Sequence, residues 1–281
     1  MAAETKLLVP GTLGQLAPAT VEILTARGYN PVYLGEITPE DIDAGMAHID
    51  NDVCAATISV VGQYMRYFDR YGTDDVAVLA PELCRDCRSV STPYVLPACF
   101  AHDGYEDIEI VPFTSADVAE AAKKTATGVT ELLAELDDEG KPCAASAEDG
   151  KADRPVIGVC GNMPMITTEE FRHVVVDHLI ESGCQVVVPP TQRIADQRDF
   201  MTPTLEYFQE QGITTVICIL PFGCLGGHVF ARGQLRKLQK SFPGIEITIL
   251  DYDPSASDIN LVNRTELVIQ SAKDKLAAAR G

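Results

Sequence analysis

The chain has 281 residues, 46% of them hydrophobic, with mean hydropathy near zero, which is enough core material for two α/β domains of ordinary size. Its formal charge of −19 opposes binding to nucleic-acid phosphates or anionic membranes, and no local basic patch offsets it. No apolar run approaches the roughly 18 residues that span a bilayer, and Met1 to Lys6 lacks the charged-then-apolar plan of a signal peptide. The expectation is a cytoplasmic protein. In that reducing compartment nine cysteines are better explained by metal ligation or redox chemistry than by disulfides.

In chain order, Lys6 to Pro10 reads as a strand and Pro18 to Arg27 as a helix stopping at Gly28. The intervening Gly11-Thr12-Leu13-Gly14 lacks a full dinucleotide or P-loop pattern and reads as a tight turn, with no nucleotide assigned. A short strand, Val32 to Leu34, follows. Thr38-Pro39-Glu40-Asp41 supplies an N-cap, a first-turn proline and early acids for a helix toward Ala47. From Ala55 to Tyr71 the apolar residues Ile58, Val61, Met65 and Phe68 recur at helical spacing. Cys54 thus stands at a helix N-terminus, where unpaired N–H groups favour a thiolate.

Val76 to Ala80 reads as a strand running into Pro81-Glu82-Leu83-Cys84-Arg85-Asp86-Cys87-Arg88. This is a C-x-x-C with Arg85 and Arg88 beside the sulfurs. By itself it fits a redox dithiol, half a zinc site or iron–sulfur ligands. A helix from Tyr94 to His102, in which Cys99 packs, a strand from Ile108 to Val111 and a helix from Ala116 to Glu135 complete a β/α alternation. Residues 1–136 form the expected N-terminal domain. The acidic stretch 137–153 reads as a linker or loop with Cys143 exposed, and 154–281 as a second doubly wound domain. Its expected strands are Val156 to Val159, Gln185 to Val188, Val216 to Leu220 and Ile245 to Leu250. Helices are expected over Thr168 to Ile180, Thr202 to Gln211, Val229 to Lys240 and Leu261 to Ala279. Cys160 follows the first strand and is a further candidate ligand, whereas Cys184 and Cys218 read as interior or edge residues.

The stretch Pro221-Phe222-Gly223-Cys224-Leu225-Gly226-Gly227-His228 joins a buried strand to a helix. Loops at the carboxyl ends of parallel strands are where ligands sit, so Cys224 joins Cys54, Cys84 and Cys87 as a candidate for one site shared across a domain cleft. Four thiolates suit zinc or iron–sulfur equally.

Several segments resemble a known family. They are Asn51-Asp52-Val53-Cys54 with Val60-Val61-Gly62-Gln63, Cys87-Arg88-Ser89, Pro221 to Leu225 with His228, and Asp251-Tyr252-Asp253-Pro254-Ser255-Ala256-Ser257 with Asn260 and Asn263-Arg264. Over nearly the whole chain they are similar to the C-terminal region of large activase-related proteins of the 2-hydroxyacyl-CoA dehydratase and benzoyl-CoA reductase superfamily. The resemblance implies two doubly wound parallel-sheet domains of Rossmann or flavodoxin type with a metal cluster between them. It also implies an iron–sulfur cluster, either a [4Fe–4S] cluster with an open iron held by three cysteines or a double-cubane cluster held by more, with matching positions here at Cys54, Cys87 and Cys224, and an ATP-hydrolysing activase as electron donor. A homodimer is also compatible.

The chain departs from the family pattern in three places. Ala55-Ala56-Thr57 stands where relatives often carry an aromatic residue and proline, Cys84 where glycines are usual, and Gly226-Gly227 where Pro-Asn is usual. Cys84 as a fourth ligand would close the open iron and favour electron transfer over substrate binding. Arg85, Arg88 and His228 are expected around the ligands, offsetting their charge. The resulting expectation is an iron–sulfur redox component, a reductase or dehydratase-like part. The alternative is a non-catalytic subunit of an activase assembly with a four-cysteine zinc site or a purely interaction role.

Overall fold

The computed structural model describes residues 5–50, 53–82, 88–105, 107–121, 123–125, 154–161, 173–189 and 199–279, apart from the side chains of Gln15 and Ser89. Two compact units emerge. The first holds the described residues up to 125 together with Phe222–Leu225, and the second holds the rest. The expected linker, 137–153, lies outside the described residues.

The first unit is a parallel sheet of β1 (Lys6–Val9), β2 (Asn30–Tyr33), β3 (Val76–Pro81) and β4 (Glu109–Phe113) in the order β2-β1-β3-β4. Helices cover both faces, because alternate strand residues point to opposite sides. Leu7, Val9, Ala77 and Leu79 pack with Ile23 and Leu24 of α1 (Ala17–Ala26) and with Val118 and Ala121 of a helical stretch over 115–121. Leu8, Val76, Val78 and Ala80 pack instead with α3 (Ala55–Tyr71) and α4 (Thr92–His102). Tyr64 of α3 is fully buried beneath the sheet and donates its hydroxyl to the carbonyl of Leu79; burial pushes its pKa well above 10.

α2 (Pro39–His48) starts at the expected N-cap Thr38, which forms a capping box with Asp41. It crosses α3 backbone against backbone: a Cβ on Gly62 would lie 1.6 Å from the Asp41 carbonyl oxygen, and one on Gly45 2.1 Å from that of Ile58. Only glycine permits that approach. Gln63, next along α3, is buried. Its Oε1 accepts from Gly11 N at 2.7 Å, and its Nε2 donates to the carbonyls of Gly35 and Glu36, both at 3.3 Å. One side chain therefore ties the loops after β1 and β2 to α3.

The second unit repeats this topology with β5 (Val156–Gly161), β6 (Gln185–Val187), β7 (Thr215–Pro221) and β8 (Glu246–Tyr252) in the order β6-β5-β7-β8, again parallel. Cys160, Val216, Cys218, Leu220, Ile247 and Ile249 pack with α6 (Met201–Glu210) and α7 (Leu235–Ser241) on one face. Ile157, Val159, Ile217 and Ile219 are buried on the other. α5 (His178–Glu181), entered through a π-turn over His173–Asp177, packs with α8 (Ile259–Ala278), which also lies on β8. Arg264 of α8 donates to the Ile249 carbonyl at 2.8 Å.

Two expectations need adjustment. The helix expected from Val229 to Lys240 is instead a π-turn at His228–Arg232 followed by α7, with a single helical turn at Leu225–Gly227 ahead of it. Gly233 donates its N–H five residues back to His228 at 2.7 Å, the π pattern, before the chain restarts as a helix. The strand expected to end at Val159 runs on to Gly161, so Cys160 lies inside it. Among the described residues no helix is long and apolar enough to cross a membrane.

Candidate functional site

In each sheet the chain moves outward from the first strand to the second, then returns to the other side of the first for the third. The carboxyl ends of β1 and β3, and of β5 and β7, therefore flank the topological switch point, where open α/β sheets bind ligands. The cysteine-bearing sequences leave from these positions. The C-x-x-C sequence continues from Pro81 of β3, and Cys224 follows Pro221 of β7. The register also matches: Pro81 pairs with Phe113 and Pro221 with Tyr252, and each proline begins a Pro-x-x-Cys in the sequence.

Cys54 is the N-cap of α3, with extended backbone (φ −75°, ψ 155°), and is buried. Its Sγ lies 3.3 Å from the Thr57 hydroxyl. The sulfur makes no capping bond to a backbone N–H; the Cys54 carbonyl instead accepts from Thr57 N at 2.9 Å and Ile58 N at 3.1 Å, and the sulfur lies at the positive end of the helix dipole.

The segment Phe222–Leu225 groups with the first unit. Gly223 (φ +73°) forms its bend, and a Cβ built there would lie 3.4 Å from Arg88 Nη1, 3.7 Å from Cys54 Cα and 3.8 Å from the Val53 carbonyl oxygen. The turn that carries Cys224 is thus seated on the N-cap of α3. Gly223 and the backbone of Cys54, far apart in the sequence, are brought together, with the Arg88 guanidinium beside Gly223. Cys224 is half-buried, and its neighbours Phe222 and Leu225 expose apolar side chains. Arg88 begins a 3-10 turn, Arg88–Ser91, closed by the Ser91 hydroxyl on the Arg88 carbonyl at 2.6 Å.

Of the other predicted positions, Cys84, Arg85 and Cys87 lie outside the described residues. His228 is half-buried in the π-turn of the second unit. Cys160 is fully buried, pairs in register with Cys218 and packs with Met201 and Leu205, the setting of a small apolar residue. Cys184 and Cys218 are interior, as expected. Cys99 also packs as expected; its thiol donates to the His48 carbonyl at 3.2 Å, and burial, with the Asp103 charge, pushes its pKa up to about 11. All six described cysteines are thiols rather than half-cystines.

Among the described residues no group of three or more His, Cys, Asp or Glu is placed to hold a metal. Two of the four predicted ligands are not among those residues. What is described is compatible with a thiophilic metal group: the residue before Cys224 lies against the backbone of Cys54, and the Arg88 guanidinium lies beside that same residue, a cation of the kind that offsets thiolate charge. Two contributors had no assigned role in the sequence reading. Thr57 reaches the Cys54 sulfur at 3.3 Å from a position three residues away. Gln63 belongs to a family-like segment, and its role is structural. Comparison with protein-family models finds none that matches the chain, and comparison with curated proteins finds no match.

Proposed function

We propose that this chain is an iron–sulfur redox protein of the kind its sequence resembles. It takes low-potential electrons from an ATP-hydrolysing activase and passes them to a small molecule or a partner protein. Cys54, Cys87 and Cys224 hold the cluster, and Cys84 caps the remaining iron. A bound cluster would supply a one-electron store at low potential. The protein's own residues do the rest: the N-cap of α3 presents Cys54, the bend at Gly223 delivers Cys224 to it, and Arg88 lowers the charge of the thiolate set.

The observation that carries this reading is the seating of the Gly223-Cys224 turn on the N-cap that bears Cys54. A buried structural cysteine has no need of a second cysteine loop against it. The switch-point origin of both cysteine-bearing sequences supports the same reading. The test is iron and acid-labile sulfide analysis of anaerobically purified protein, with a visible spectrum. Iron and sulfide in near-equal amounts, with a sulfide-to-iron charge-transfer band, is the expected result. Zinc without sulfide would replace the cluster with a four-cysteine structural site.

A further inference from the structure

Thr57 stands at the third position of α3, one turn beyond the N-cap sulfur. It is only 5% exposed, and its hydroxyl reaches Cys54 Sγ at 3.3 Å. Some hydroxyls in these helices turn back to the carbonyl four residues earlier, as Ser59 does to Ala55 at 2.9 Å and Thr265 to Leu261 at 2.9 Å, while those of Thr20 and Thr204 are buried without a partner. Thr57 instead has its hydroxyl on the sulfur. The intervening Ala55 and Ala56 carry no polar side chain to compete for it.

We propose that Thr57 is a positioning and tuning residue for Cys54: its O–H donates to the sulfur when Cys54 is a thiolate ligand. Two consequences follow. The bond fixes the direction in which the N-cap sulfur points, and it draws charge from the sulfur, so that the reduced, more negative cluster is stabilised and the potential raised. Burial strengthens both effects, because water is not there to replace a missing donor. The inference rests on the iron–sulfur reading and extends it to a residue outside the thiolate set.

The experiment uses the whole 281-residue chain, anaerobically reconstituted, as parent, Thr57→Val and Thr57→Ser. Iron content, an EPR-monitored redox titration and the resonance Raman Fe–S(Cys) bands are recorded for each. The expected result is that Thr57→Val titrates at a more negative potential with Fe–S bands shifted to higher frequency, while Thr57→Ser keeps the parent's values. Loss of iron in Thr57→Val with retention in Thr57→Ser also supports the positioning role. Iron-loaded variants with unchanged potential and bands, or a shift as large in Thr57→Ser as in Thr57→Val, overturn this inference and leave the cluster standing. A parent that takes up no iron overturns the iron–sulfur reading itself, and this inference falls with it.

Discussion

Substituting Gly62 by alanine tests how α3, and with it Cys54, is fixed to the first unit. In an exposed helix interior this change would stabilise by about 1 kcal/mol, since alanine costs less backbone entropy. Here the added Cβ would lie 1.6 Å from the Asp41 carbonyl oxygen, whereas ordinary contact begins at 3.4 Å. The two helices must separate by about 1.8 Å, the difference between those distances. Neither contact atom is the end of a flexible side chain; both Asp41 and Gly45 present backbone. Separation also pulls Asp41 from Gln63 Nε2, a hydrogen bond of 3.4 Å, and so loosens the tie between α3 and the loops after β1 and β2. Overpacking of this kind costs typically 1–3 kcal/mol, and a contact this short lies at the upper end, leaving roughly 2 kcal/mol of net destabilisation after the propensity gain. For a unit of this size that is a loss of roughly 6–10 °C in the thermal midpoint. Urea and thermal unfolding followed by far-UV circular dichroism measure it. A Gly62→Ala protein as stable as the parent, or more so, would refute the backbone-to-backbone crossing.

Two further predictions concern ionisable groups. Lys275, 2.7 Å from Glu246 and bonded to it, holds that carboxyl below its ordinary value near 4.5, against the opposing push of partial burial. A carboxylate depressed on folding adds stability above its unfolded pKa and loses it as pH falls through the folded one. Glu246→Gln should therefore be less stable than the parent at pH 7, by under about 1 kcal/mol for so exposed a pair, and the gap should close as pH falls below the ordinary carboxylate range. A gap that persists at pH 3 in urea titrations would contradict the ion pair as its cause. Cys99, with its pKa near 11, should carry about 100-fold less thiolate than an ordinary cysteine. Iodoacetamide at pH 8 followed by peptide mass mapping should leave Cys99 unlabelled until the protein is unfolded; labelling of the native protein at the unfolded rate would refute its burial.

Much of the fold was legible because local signals agree with it. The α3 bounds follow from the apolar spacing of Ile58, Val61, Met65 and Phe68, all buried, and the start of α2 from Thr38 and Asp41. The π-turn at His228–Arg232 was not legible, since one extra residue in a turn leaves the hydrophobic pattern nearly unchanged. The extension of β5 over Cys160 went unseen for a related reason: cysteine before glycine reads equally as a loop start or as a strand end.

At the candidate site the N-cap position of Cys54 could be read from the sequence. The role of Gly62 could not, because it depends on what faces that residue from α2. Nor could the seating of Gly223 beside Cys54 and Arg88, a contact between distant segments that no periodicity encodes. Thr57 was visible only as a departure from the family pattern; its bond to the sulfur is a matter of side-chain direction one helical turn along.

The most direct test of the central claim is the iron content of anaerobically purified Cys54→Ala, Cys87→Ala and Cys224→Ala beside the parent and Cys143→Ala. Each of the first three removes a thiolate that water does not readily replace, so each should lose most of the parent's iron, with Cys143→Ala unchanged. Iron at the parent's level in all three would contradict the cluster assignment.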